Sequence, residues 1–490
     1  MNTPERMSTG IPGLDEVLNG GLIPNHSYLL VGAAGTGKTI GSLQWLLEGQ
    51  RRGERGLYVT LAEPVENIAR NVSSFGWTLD GLEIVDLNPL VDHTSGGVEE
   101  YNIFAPSEVE RVPMWDGIYE AVREKRPQRV VIDSVTQLRY LSTDDYQFRK
   151  QILALVTFLF RSGCTSFLTF EPSELEREAS VALAVDGIMR LRMDTSPNRV
   201  VGLRSLQVEK LRGTDFMSGM HPMRFTPEGL VVYPHRIEGP GDARPGVDLL
   251  DSGVADLDEL LGGGIESGTT TIISGPSGAG KTTLGVQFLT RAVERGAPAI
   301  AYTFEEAPGS ILGRCESIGM KIQPMLETGM LSIVRLNPME VYPDEFLQML
   351  RASVLEDGRR VVLIDSLRGY ELAMEEFGSA VAHVQNMVTF LNRESVTTLL
   401  TNEIEEITGV LVATGLGVSY TVDNIVLMRY AEHRSRVIKV IGCLKKRHGA
   451  FRTDLREFKI TPEGIRVSDA LRGLRGVLSG TPVTDERGLD

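Results

Sequence analysis

The sequence predicts an α/β fold built twice: two tandem domains, each a mostly parallel β-sheet flanked by helices. Three observations predict it. The glycine-rich stretch "GAAGTGKT" from Gly32 returns as "GPSGAGKT" from Gly275. The flanks repeat at the same offset, with "STGIPGLDEVLNGGLIPNHSYLLV" from Ser8 standing against "DSGVADLDELLGGGIESGTTTIIS" from Asp251. Short continuous apolar runs alternate with longer helical patterns, as expected of buried parallel strands covered on both faces. A chain of 490 residues also exceeds what one hydrophobic core usually organises.

Taken in order, "SYLLVG" from Ser27, "GLYVTL" from Gly56 and "RVVIDS" from Arg129 read as strands, and "TIGSLQWLLEGQRRG" from Thr39 as a helix. Beyond the loop the repeat continues: "GLYVTLAEPVENIARNVSSFGW" from Gly56 matches "AIAYTFEEAPGSILGRCESIGM" from Ala299, and "RVVIDS" matches "VVLIDS" from Val361. Further on, "EKLRG" from Glu209 matches "LKKRHG" from Leu444. Between the copies, "YPHRIEGPGDARPG" from Tyr233 is rich in Pro and Gly and reads as a linker. The expected domains are therefore 1–240 and 241–482, followed by a short tail at 483–490.

Composition narrows the class. With 42% apolar and 23% charged residues, the chain reads as an ordinary globular protein. Its longest apolar run, "ILALVTFLF" from Ile152, is too short for a bilayer span. The N-terminus "MNTPERMSTG" carries no basic segment followed by an apolar stretch, so a cytoplasmic location is expected. Cys164, Cys315 and Cys443 are isolated, which fits small buried residues rather than a thiolate metal site or disulfide scaffold. A net charge of −15 argues against a broad nucleic-acid-binding surface.

The chemistry lies in the two loops. Each fits G-x-x-x-x-G-K-[ST] between a strand and a helix, the context that gives the motif its meaning. Successive backbone N–H groups curl around phosphates, the helix N-terminus adds its dipole, the Lys reaches the β- and γ-phosphates, and the Thr hydroxyl binds Mg2+. This assigns Gly32, Gly35, Thr36, Gly37, Lys38 and Thr39 to ATP in the first copy. Gly275, Ser277, Gly278, Ala279, Gly280, Lys281, Thr282 and Thr283 take that part in the second.

Asp133 and Asp365 each end a short apolar run, placing a carboxylate at the carboxyl edge of the sheet, where with Thr39 and Thr282 it can hold the metal. A helix cap is the competing role for each aspartate. Glu305 and Glu306 in "TFEEAP" offer carboxylates to orient or deprotonate an attacking group. The first copy reads "TLAEP", with Ala62 against Glu305 and only Glu63 remaining, so the two loops are expected to work at unequal rates. Lys210 and Arg212, and Lys445, Lys446 and Arg447 in the second copy, could serve a neighbour's γ-phosphate as cationic fingers or be plain solvated charges.

A duplicated phosphate loop preceded by "LDEVLNGG" or "LDELLGGG", with "FEE" following the second, resembles the circadian clock protein KaiC and its relatives, over nearly the whole chain. The resemblance implies tandem RecA-like ATPase domains and a homohexamer of two stacked rings with ATP between subunits. It also implies a second domain that autophosphorylates nearby hydroxyls, with Glu305 as general base and Glu306 supporting it. In "TGLGVSYTVDNIVLMRY" the matching positions are Ser419, with Tyr420 where the family has Thr and Thr414 as a third hydroxyl. Ser419 is the expected acceptor; a plain loop hydroxyl is its alternative role. Only eight residues follow "LSGTP", so a KaiA-type activator, which binds a longer tail, is not expected, whereas a KaiB-like partner is compatible. Two other readings stand beside a KaiC-like enzyme. One is a nucleotide-gated scaffold, favoured by Ala62; the other is a RecA-like DNA motor, disfavoured by the acidic stretch after Leu90.

Overall fold

The computed structural model describes residues 5–88, 108–140, 142, 144–173, 179–194, 202–239, 248–374, 379–404, 420–433, 435–471, 474–475 and 483–484. The chain divides into two compact units, Met1–Arg236 and Ile237–Asp490.

In the first unit the strands are β1 (Ser27–Val31), β2 (Gly56–Thr60), β3 (Glu83–Asp86), β4 (Arg129–Asp133), β5 (Thr165–Phe170), β6 (Gly187–Asp194), β7 (Leu203–Leu211), β8 (Met220–Thr226) and β9 (Gly229–Val232). They form one sheet in the order β3-β2-β4-β5-β1-β6-β7-β8-β9. From β3 to β6 every pairing is parallel, and from β6 onward every pairing is antiparallel. The parallel strands are the apolar runs of the sequence, because both of their faces are covered. On β1, Leu29 and Val31 enter one core cluster while Tyr28 and Leu30 enter the other, so successive side chains serve opposite faces.

The second unit repeats the plan with β10 (Thr270–Gly275), β11 (Ala299–Thr303), β12 (Leu331–Arg335), β13 (Val361–Asp365), β14 (Thr397–Glu403), β15 (Asn424–His433), β16 (Arg436–Lys446), β17 (Arg456–Thr461) and β18 (Gly464–Ala470). The order is β12-β11-β13-β14-β10-β15-β16-β17-β18, strand for strand that of the first unit. Helices Lys38–Arg51 and Lys281–Glu294 leave the glycine loops at the carboxyl ends of β1 and β10. No helix among the described residues is long and apolar enough to cross a membrane. All three cysteines are buried and unpaired.

Candidate nucleotide sites

The first loop wraps one end of a cavity of about 510 Å³ lined by Gly35, Gly37, Lys38 and Thr39 together with Thr60, Ala62, Glu63, Asn71, Asp133, Glu171 and Phe225. Gly37 stands just before the helix at φ 110°, a conformation that L side chains rarely adopt. The first backbone N–H groups of the helix that follows have no intrahelical acceptor and are available to an anion. Lys38 Nζ donates to the carbonyls of Gly32 at 2.5 Å and Ala33 at 3.0 Å. Burial holds its ammonium below the ordinary lysine value, opposed by the charges of Asp133 and Glu171.

Asp133 ends β4 beside Thr60 of β2, a register that brings it to the loop. Its Oδ2 accepts from Thr39 Oγ1 at 2.8 Å and from the Tyr58 hydroxyl at 2.6 Å, and its Oδ1 from Thr169 Oγ1 at 2.6 Å. Burial and the neighbouring Asp133 push the Tyr58 hydroxyl well above its ordinary value. Glu63 accepts from Asn71 Nδ2 at 2.9 Å, while burial and Asp133 raise its carboxyl.

The second cavity, about 360 Å³, is lined by Ser277, Gly278, Gly280, Lys281, Thr282 and Thr283 with Glu305, Glu306, Arg314, Asp365, Glu403, Lys439 and Ile460. Gly280 repeats φ 110°, and Lys281 Nζ donates to the carbonyls of Gly275 at 2.8 Å and Pro276 at 2.9 Å. Burial lowers Lys281, opposed by Glu403, Asp365 and Glu305. Asp365 accepts from Thr401 and Thr282, and burial outweighs those hydrogen bonds to hold its carboxyl above the ordinary value. Glu305 Oε1 accepts from Ser366 Oγ at 3.0 Å. Glu306 accepts from Ser310 at 2.7 Å and pairs with Arg314 at 2.8 Å. The competing cap role of Asp365 falls to Ser366, whose Oγ accepts from the Gly369 N–H.

Of the predicted loop residues, Gly35, Gly37, Lys38 and Thr39 line the first cavity and Ser277, Gly278, Gly280, Lys281, Thr282 and Thr283 the second, whereas Gly32 and Gly275 sit at the strand ends outside the lining, Thr36 Oγ1 donates to Ala33 O, and Ala279 is in the core. The basic residues are tied within their own units. Lys210 Nζ donates to Ala182 O and Val185 O, and Arg212 to Leu183 O. Lys445 Nζ donates to Val422 O, and Arg447 pairs with Asp423 at 3.1 Å. Lys446 is buried against Glu266 at 3.1 Å. Ser419 and Thr414 lie outside the described residues; Tyr420 is exposed, and its carbonyl accepts from Arg447.

Several lining residues escaped the sequence reading. Glu171 and Glu403 follow or end a strand as Asp133 and Asp365 do, so the same signal could have found them. Phe225 and Ile460 come from the antiparallel edge, far along the chain, with no local motif to announce them. Lys439, whose Nζ donates to Gly278 O at 2.8 Å, is equally silent.

Threonine hydroxyls bound to buried-edge aspartates are oxygen donors suited to a hard divalent cation, and the positive-φ glycine loops suit phosphate oxygens. Fold and sites together define a tandem P-loop ATPase, two RecA-like units in one chain. A family model described as "ATPase: KaiC" matches residues 7–237 and again 250–472, so the chain belongs to the KaiC ATPase family. It is 30% identical to a circadian clock oscillator protein KaiC of Prochlorococcus marinus, covering 98% of this chain and 95% of that one. Identity to the oscillator protein KaiC of Synechococcus elongatus is 30%, over 97% of this chain and 92% of that one. Circadian clock protein KaiC3 of Synechocystis is 27% identical, over 98% and 95%.

Proposed function

We propose that this KaiC-family ATPase binds Mg·ATP at both loops, hydrolyses it slowly at the first, and at the second also transfers the γ-phosphate to its own chain at Ser419, with Tyr420 and Thr414 as further candidates. The carrying observation is the contrast between Glu305, lining the second cavity with Lys281 and Asp365, and Ala62, lining the first at the matching position.

Thr39 with Asp133, and Thr282 with Asp365, would hold Mg2+, which supplies charge neutralisation for the β- and γ-phosphates. The loop amides and Lys38 or Lys281 bind and orient the phosphates. In the transfer step the acceptor oxygen forms a bond to the γ-phosphorus as its bond to the β-bridging oxygen breaks. ADP leaves, and the hydroxyl proton passes to Glu305. The Ser366 hydrogen bond fixes Glu305 for that purpose, and the Arg314 pair holds Glu306 beside it. Phe225 and Ile460 give each cavity an apolar wall suited to a base.

The proposed assembly is a homohexamer located in the cytoplasm, with a clock or timing role and a KaiB-like protein as the compatible partner. A second reading, a nucleotide-gated scaffold, is favoured for the first unit by Ala62. Incubation with Mg·ATP radiolabelled in the γ-phosphate, followed by peptide mapping, tests the proposal. Label at Ser419 that disappears in Glu305→Gln supports the autokinase; phosphate release with no label on the chain leaves an ATPase or scaffold.

A further inference from the structure

Tyr58 separates the two sites in a way that neither loop motif records. It lies on β2, its ring packed in the core cluster that contains Leu30 and Val131, and it is 1% exposed. Its hydroxyl reaches the carboxyl edge of the sheet and donates to Asp133 Oδ2 at 2.6 Å, the same oxygen that accepts from Thr39 at 2.8 Å. With Thr169 on Oδ1, three hydroxyls from three elements hold one carboxylate.

The second site is built differently. In register, Tyr58 pairs with Val131 of β4, and Ala301 pairs with Leu363 of β13. Ala301 therefore occupies the place of Tyr58 and offers no hydroxyl, leaving Asp365 to accept from Thr401 and Thr282.

We propose that Tyr58 is a positioning residue of the first site, its hydroxyl fixing the Asp133 carboxylate so that Asp133 and Thr39 present one preset group of oxygens to the divalent cation that accompanies ATP. The inference rests on the reading of the first loop as a Mg·nucleotide site. Ring packing alone accounts for the phenyl ring, and a buried hydroxyl needs only some acceptor. The acceptor it has is the carboxylate assigned to the metal. Partners that hold a metal's carboxylate ligands typically change metal affinity by about 10–100-fold when removed. The first unit, lacking a carboxylate at position 62, would thus be arranged to retain Mg·ATP firmly rather than to turn it over.

The test uses the full chain carrying Lys281→Ala, so that a fluorescent ATP analogue reports on the first loop. Titrations are run in EDTA and across a Mg2+ series, with and without Tyr58→Phe, which removes only the hydroxyl. The expected result is unchanged affinity in EDTA and a Mg2+ half-point raised about tenfold. An unmoved half-point overturns the proposal. So does an equal loss with and without Mg2+, which would make the hydroxyl a packing group. Lys38→Ala added to the same background must abolish the remaining binding; if binding persists, the reading of the loop itself fails, independently of Tyr58.

Discussion

Ala62 and Glu305 stand at matching places just beyond β2 and β11, both exposed, each lining its own cavity beside a loop lysine and a strand-end aspartate. This is the difference between the two sites that removes a candidate base, and restoring it should restore chemistry. In a Lys281→Ala background, Ala62→Glu is expected to raise phosphate release from the first site roughly 100-fold, the lower range for a positioned general base. Steady-state phosphate release measures it. An unchanged rate would mean that Glu63 or Glu171 already activates the water. At the second site, Glu305→Gln should depress phosphate release by a similar factor while leaving fluorescent ATP affinity within about twofold, because the amide keeps the shape and loses the base.

At the scale of elements, the strand–loop–helix unit depends on one glycine just before each helix. Gly37 and Gly280 share φ 110°, but a Cβ would stand 2.6 Å from Phe225 Cζ in the first case and 3.0 Å from Ile460 Cδ1 and Phe458 Cε1 in the second. Either Gly→Ala change should cost about 1–3 kcal/mol of local strain. Gly37→Ala is expected to be the worse, since its Cβ would come closer to the neighbouring ring, 2.6 Å against 3.0 Å. Thermal melting and fluorescent ATP titration of both variants check the order; equal losses would show that the backbone term alone matters.

Strands and loops were legible in the sequence because apolar runs and glycine spacing are local signals. Asp133 and Asp365 were legible as candidates because each is a carboxylate at the end of an apolar strand, and Glu305 and Glu306 because they form a carboxylate pair just beyond one. Tyr58 was not, because in a strand the alternation that marks a core aromatic is blind to where its hydroxyl ends. Its partner is set by the β2–β4 register, which no single segment encodes. The cavity walls Phe225 and Ile460 were hidden for a related reason: the antiparallel strands that carry them are brought to the loops by sheet order, through pairings distant in sequence.

For the whole molecule, duplication has kept the strand order identical while the side chains around the two loops have diverged. Identical architecture with different catalytic groups is what a division of labour requires: a site that binds without rapid turnover stays loaded, and a loaded site between subunits stabilises their association by mass action. The two loop lysines therefore should not be equivalent. Lys38→Ala removes the cation that would grip ATP at the first site and is expected to convert the proposed homohexamer to smaller species, measured by light scattering on a sizing column in saturating Mg·ATP. Lys281→Ala should leave the hexamer largely intact and abolish phosphate incorporation into the chain. The double contrast matters because general misfolding would lower both readouts in both variants. Should Lys38→Ala remain hexameric, the holding role of the first unit would be wrong, and the loss of Glu at position 62 would need an explanation other than retained ATP.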